Sequence, residues 1–212
     1  MSIITLENVN KKYGRKTVLQ DYSLQVQQGE MVAITGPSGC GKSTLLNIVG
    51  LLESIDNGQI HICGHVNPKP ATSLSNKILR ENINYLFQSF ALVDEQTVEY
   101  NLRLALDGQR VKKKDKDRAI DEALQRVGLE GFRRFKIFEL SGGEQQRVAI
   151  ARVCLKPCEI ILADEPTGSL DPENRGIIIN MIKDLHGQGK TILIVTHDPN
   201  VAQECQRIVG FS

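Results

Sequence analysis

No run of apolar side chains in these 212 residues approaches the length that spans a bilayer, and the opening stretch Met1-Ser2-Ile3-Ile4-Thr5-Leu6-Glu7 lacks the apolar centre of a secretory leader. The chain is therefore expected in the cytosol. Cysteines are few, odd in number and scattered: Cys40, Cys63, Cys154, Cys158 and Cys205. That pattern argues for reduced thiols and against a disulfide framework, and with no histidine cluster beside Cys154 and Cys158 a metal site there is not expected. Net charge is nearly absent, 26 Lys plus Arg against 25 Asp plus Glu, so nothing points to nucleic acid or anionic lipid as the main partner. The one basic run, Arg110 to Arg118, is interleaved with Asp115 and Asp117 and carries no aromatic residue, which reads as a solvated helix start. Internal repeats, low-complexity tracts and a G-x-G-x-x-G dinucleotide fingerprint are also missing.

What is there is a phosphate-loop pattern. Gly36-Pro37-Ser38-Gly39-Cys40-Gly41-Lys42-Ser43-Thr44 places two glycines around four residues and closes on Lys-Ser. Glycine takes left-handed backbone angles freely, which lets main-chain N–H groups curl around a phosphate. Lys42 would set its ammonium on the terminal phosphates and Ser43 would offer its hydroxyl to Mg²⁺. The flanks supply the context: Met31 to Thr35 is an apolar strand entering the loop, and Ser43 to Val49 a helix leaving it, whose free N–H groups favour an anion.

Elsewhere strands and helices alternate. Strands are expected at Ile3 to Val9, at Thr17 to Val26 with Val18, Tyr22, Leu24 and Val26 alternating inward, at Gln59 to Cys63, at Ile83 to Phe87, at Glu159 to Ala163 and at Thr191 to Thr196. Between Thr97 and Gly128 the period turns helical, with Val98, Leu102 and Leu106 on one face, then Ala119, Ala123, Leu124 and Val127. The result is an α/β chain, a parallel-sheet core with a helical insertion. Tyr13 alone reads as an edge packing residue, though it could stack on a base. Gln88 ends a strand where open α/β sheets place ligand contacts.

Two further constellations follow. Leu140-Ser141-Gly142-Gly143-Glu144-Gln145-Gln146-Arg147 opens a helix, with Ser141 as cap and Glu144 completing a capping box. It is either a well-capped helix or a second anion site built on the same physics. The apolar strand from Glu159 then delivers Asp164 and Glu165 side by side, which suits a division of labour: Asp164 holding hydrated Mg²⁺, Glu165 polarising water. His197, ending the last apolar strand, would reach a phosphate from the same edge as Gln88 and Asp164.

Together these motifs resemble the nucleotide-binding subunit of ATP-binding cassette (ABC) transporters from about Ile3 to Val209, and the Leu140 to Gln146 stretch is similar to the signature of that family. The resemblance implies a P-loop NTPase (RecA-like) core with an N-terminal antiparallel β subdomain and an inserted α-helical subdomain. A single domain is expected over 1–212, with 1–88 and 159–212 as core and about 89–158 as helical subdomain. It makes Tyr13 the adenine-stacking residue, Gln88 the Q-loop glutamine and a contact to Mg²⁺, Asp164 the Walker B aspartate, Glu165 the catalytic base, Asp171 the D-loop aspartate and His197 the switch histidine. It implies ATP and Mg²⁺ as cofactors, and two copies pairing head to tail. Ser141, Gly142, Gly143 and Asp171 of one copy then face the ATP on the phosphate loop of the other. A separately encoded membrane permease is the expected partner, with the chain peripheral on the inner face of the membrane.

Gly50-Leu51-Leu52-Glu53, Phe87 to Leu92 and Ala163 to Asp171 look like the macrolide, lipoprotein and antimicrobial-peptide exporter group, while Val93 to Asn101 and Lys156-Pro157-Cys158 are closer to its bacteriocin-export branch. The chain departs from much of that group in carrying Val93-Asp94 in place of Leu-Pro. Ending soon after its last apolar strand, it is expected to lack a C-terminal regulatory domain. The alternative within the family is a non-transport switch of the cell-division type. A soluble repair or translation ATPase is disfavoured, because such proteins carry a coiled-coil insertion or a duplicated cassette. A guanine-reading GTPase fits poorly, because Asn76-Lys77-Ile78-Leu79 lacks the aspartate of Asn-Lys-x-Asp.

Overall fold

In the computed structural model, residues 1–107, 112–168 and 170–211 are described; Arg110 of the basic run and Ser169 lie outside them. In chain order the elements are β1 Ser2–Tyr13, β2 Lys16–Gln27, β3 Met31–Thr35, α1 Lys42–Val49, β4 Asn57–Ile62, β5 His65–Val66, α2 Ser73–Glu81 and β6 Ile83–Leu86. They continue with α3 Val98–Leu106, α4 Lys113–Arg126, α5 Gly142–Leu155, β7 Ile160–Asp164, α6 Pro172–Gly187, β8 Thr191–Val195, α7 Pro199–Gln203 and β9 Arg207–Gly210. The chain divides into two compact units, Met1–Tyr85 with Cys158–Glu165 and Leu185–Ser212, and Leu86–Pro157 with Pro166–Asp184. Residues 166–184, counted with the core in the sequence reading, cluster with the second unit.

The first unit holds two sheets. One is antiparallel in the order β2-β1-β4-β5, the other runs β6-β7-β8-β3-β9. In the second sheet β3 pairs in parallel with β8 and β9, and β7 with β8, so that Ile34 and Asp164 both lie level with Val195. Parallel register brings the carboxyl ends of β3, β7 and β8 to one edge, where ligands bind in open α/β sheets. These strands read as unbroken apolar runs because both of their faces are buried. One buried cluster joins Leu6, Leu24 and Ile62 of the first sheet, Leu45, Leu46 and Ile48 of α1, and Val32, Leu162 and Leu193 of the second.

Two expectations need correction. The inward alternation of β2 holds at Tyr22, Leu24 and Val26 but fails at Val18, where Leu19 takes the buried position. Asp21 has φ 45° and the β1–β2 register shifts between Val9 and Lys11, so a bulge moves the inward face by one residue. A further strand, β9, follows His197; its residues are mostly exposed, so no apolar period announced it.

In the second unit α3 and α4 pack on α5. Val98, Leu102 and Leu106 are buried as read, while the α4 face is Ile120, Ala123 and Leu124, one residue on from Ala119. An ion-pair network ties this unit across its surface. Arg133 donates to Glu99 Oε2 at 2.9 Å, Asp117 Oδ1 at 2.5 Å and Asp121 Oδ1 at 3.1 Å, and Arg103 pairs with Glu99 and Asp117. The bond to Glu99 leads in holding the Arg133 guanidinium above its ordinary range. Since all five groups are partly solvated, screening keeps the effect modest. Arg133→Ala is expected to lower Tm by about 2–4 °C in a calorimetric melt. An unchanged Tm would show the network to be energetically idle.

Candidate active site

The loop after β3 shows why each glycine is there. Gly39 and Gly41 have φ 73° and 118°, the left-handed region expected for them. Gly36 serves differently: a Cβ there would stand 2.5 Å from the Phe211 carbonyl oxygen, so the end of the chain passes too close for a side chain. Lys42 is buried, and its Nζ donates to Gly36 O at 2.8 Å and Pro37 O at 2.9 Å, which holds the ammonium inside the loop that it closes. Cys40 Sγ lies 3.9 Å from the same amine. Pro37 and Ser38 are exposed and Thr44 is half-buried on α1.

At the neighbouring strand end Ser43 Oγ donates to Asp164 Oδ1 at 3.2 Å. Burial pushes the Asp164 carboxyl above its ordinary range, the Ser43 hydroxyl and the Lys42 charge pull it back, and Glu165 pushes it further up. A hydroxyl and one carboxylate as adjacent hard oxygen donors fit Mg²⁺, which keeps several waters and takes the rest of its shell from phosphate. Among the described residues no group of three His, Cys, Asp or Glu could hold a metal without that help.

Glu165 turns away from Asp164. Its φ of 45° is unusual for a residue with a side chain, and its N–H is spent on Val195 O at 2.9 Å. The carboxylate is thereby carried to the end of β8, where it accepts from Thr196 Oγ1 at 3.2 Å and His197 N at 3.1 Å and meets His197 Nδ1 at 2.7 Å. Thr196 gave no sequence signal beyond ending a strand. Its part emerges only from this contact.

Tyr13, at the end of β1, is 48% exposed, with its hydroxyl on Glu53 and its ring beside the Lys11 ammonium. Gln88, Ser141, Gly142, Gly143 and Asp171 belong to the second unit. Gln88 is exposed in a turn after β6, and the turn's next residues are pinned by Arg152, whose guanidinium donates to Phe90 O at 2.9 Å and to Ala91 O. Phe90 and Ala91 both have positive φ, so Arg152 stabilises a strained turn. Sequence reasoning passed over Arg152 because it lies inside a regular helix.

The capping box at α5 is formed as read: Ser141 N donates to Glu144 Oε2 at 2.8 Å and Glu144 N donates to Ser141 Oγ at 3.4 Å, and the Ser141 hydroxyl also donates to Glu144 Oε2 at 2.7 Å. Ser141 and Gly142 are exposed, whereas Gly143 is buried against Asn174, whose Oδ1 would lie 2.4 Å from a Cβ. Asn174 also donates to Asp171 Oδ2 at 2.6 Å, while Asp171 Oδ1 caps α6 by accepting from Glu173 N and Asn174 N, each at 3.0 Å. These bonds, the Asn174 amide first, hold the Asp171 carboxyl below its usual range. One side chain therefore joins Gly143 to Asp171, two positions 28 residues apart in sequence.

The comparisons agree on one family. The model of the family described as "ABC transporter" matches residues 19–168. The uncharacterized ABC transporter ATP-binding protein YvrO of Bacillus subtilis (strain 168) is 41% identical over 98% of this chain and 92% of its own length. A macrolide export ATP-binding/permease protein, MacB of Pectobacterium atrosepticum, is 38% identical over 98% of this chain but 33% of its own length, so the chain spans about a third of that protein. Among solved structures, the dimeric post-hydrolysis state of the ATP-binding cassette MJ0796 bound to ADP and Pi superposes with a TM-score of 0.88 at 37% identity, over 99% of this chain and 94% of that one.

Proposed function

This chain belongs to the ABC transporter family, as an ATP-binding cassette with the P-loop NTPase fold that hydrolyses ATP, and from that premise we propose that it is the motor of a separately encoded membrane exporter. The observation that carries the site assignment is the divergence of two adjacent carboxylates: Asp164 meets the phosphate-loop hydroxyl of Ser43, and Glu165 meets His197 and Thr196. The main-chain N–H groups of the loop, Pro37 excepted, and the Lys42 ammonium bind the phosphates along residues 36–44, and Tyr13 takes the base. Ser43 and Asp164 would hold Mg²⁺, with Gln88 as the family resemblance implies, and the ion would supply charge neutralisation for the phosphates. Glu165 polarises the attacking water, and His197 orients the Glu165 carboxylate and reaches the terminal phosphate.

The second anion site answers to a second copy. Ser141, Gly142, Gly143 and Asp171 of one chain close on the nucleotide held by the other, so that ATP stabilises the paired state and hydrolysis releases it. Only such differential affinity can move attached permease subunits. The dimeric MJ0796 structure and the relative named as a macrolide export ATP-binding/permease protein, MacB, support this reading. So does the lack, among the described residues, of any helix long and apolar enough to cross a membrane. The likeness to MacB and the residues shared with the bacteriocin branch favour a peptide, bacteriocin or lipophilic cargo, handled at the inner face of the membrane.

Light scattering on Glu165→Gln tests the pairing. The expected result is a doubling of mass on adding ATP without Mg²⁺, abolished by a further Gly143→Ala change that drives a Cβ into Asn174. A mass that stays monomeric with ATP bound would exclude the sandwich for the isolated chain and require the co-purified permease complex for any pairing.

A further inference from the structure

The far end of the phosphate-loop helix meets the base-binding tyrosine through one carboxylate. Lys11 and Tyr13 lie two residues apart on β1 and so share a face of the strand. Lys11 is only 5% exposed, and its ammonium sits 5.1 Å from the centre of the Tyr13 ring. A buried charge persists only where it is paired. Its partner is Glu53, whose Oε1 accepts from Lys11 Nζ at 2.6 Å, with Asp56 Oδ1 more distant at 3.9 Å. The other oxygen, Oε2, accepts from the Tyr13 hydroxyl at 3.1 Å. The tyrosine is thus held at its tip by a carboxylate and on its ring by a cation, while about half of the side chain stays exposed.

Glu53 is itself fixed to α1. Leu51 adopts φ 55°, and the N–H groups of Leu52 and Glu53 both donate to Asn47 O, at 2.8 and 3.2 Å. The helix whose first turn carries Lys42 and Ser43 therefore also anchors, at its last turn, the group that orients Tyr13. An aromatic platform with a fixed ring binds more tightly than a free one, because less rotational freedom is lost on stacking.

We propose that Glu53, with Lys11 behind it, is a positioning residue for the nucleotide base: it locks the Tyr13 ring at a set distance from the phosphate loop, so that affinity for ATP, and not the chemical step, depends on it. The inference rests on Tyr13 being the base platform of the proposed function. A purely structural ion pair would leave ATP affinity and affinity for a bare triphosphate changing together, and that distinction is measurable.

The experiment compares steady-state hydrolysis by the full chain and its Tyr13→Phe, Glu53→Gln and Tyr13→Ala variants, with inorganic tripolyphosphate as a competitive inhibitor. Tyr13→Phe keeps the ring and removes only the tether; it and Glu53→Gln are each expected to raise KM for ATP about three- to tenfold, with kcat and the tripolyphosphate inhibition constant unchanged. Tyr13→Ala raises KM at least as far. Wild-type KM in Tyr13→Phe beside a raised KM in Tyr13→Ala overturns the positioning role while leaving the platform intact. Wild-type KM in Tyr13→Ala overturns the platform reading, and this inference with it. A parallel rise in the tripolyphosphate constant assigns the effect to the loop and also overturns the inference. Should Glu53→Gln fail to fold, Tyr13→Phe decides alone.

Discussion

Glu165→Gln is expected to lower steady-state ATP hydrolysis by about 10²- to 10⁴-fold while leaving ATP affinity close to wild type. The substitution keeps the shape of the side chain and an oxygen that can accept from Thr196 Oγ1 and His197 N, so the strand ends around it stay in place. What it removes is the basicity that polarises water, an interaction realised only on the way to the transition state. The neighbouring Ser43–Asp164 pair belongs to binding and is untouched. Phosphate release measured at saturating ATP, beside calorimetric titration of ATP, separates the two. Retention of more than a tenth of the wild-type rate would remove Glu165 from the role of base. A matching loss of ATP affinity would show that the carboxylate serves binding instead.

The second large effect is expected at Gly41, where Ala should weaken ATP binding by about 10- to 100-fold without unfolding the chain. Two penalties coincide there. Its φ of 118° is one that L residues rarely adopt, and an added Cβ would lie 2.5 Å from Val18 Cγ1 and 3.2 Å from Val18 O. The residue also caps α1, with Leu45 N donating to Gly41 O at 2.9 Å, so relieving the clash displaces the helix start that carries Lys42 and Ser43. Gly39 offers the control: its φ is 73° but nothing lies within 4 Å of its Cβ position, so Gly39→Ala meets strain alone. That variant is expected to lose only about fivefold. Equal losses at the two positions, by calorimetric titration with the melting curve as a check on folding, would mean that the contact with Val18 contributes nothing.

Several elements were legible because their signals are local. The apolar strand, glycine turn and helix around Lys42 lie within 19 consecutive residues, Met31 to Val49. The Ser141–Glu144 capping box spans three positions of separation. Periodicity located α3, and the unbroken apolar runs of β7 and β8 announced strands buried on both faces. Where local pattern was weak the reading slipped. The bulge at Asp21 shifted the inward face of β2, and β9 is held by pairing with β3 although its own residues are largely exposed.

The sequence by itself determined which chemical groups are present and which kind of element each sits on. A glycine that tolerates positive φ, a carboxylate after an apolar run and a serine before a helical one are properties of a few neighbouring residues. Only the tertiary structure decided what those groups do to one another. Glu165 meets His197 across 32 positions, Glu53 meets Tyr13 across 40, and Ser43 meets Asp164 across 121. Such contacts depend on strand register and on backbone angles like that of Glu165, and these are selected by the packing of the whole sheet, which no short stretch of sequence encodes.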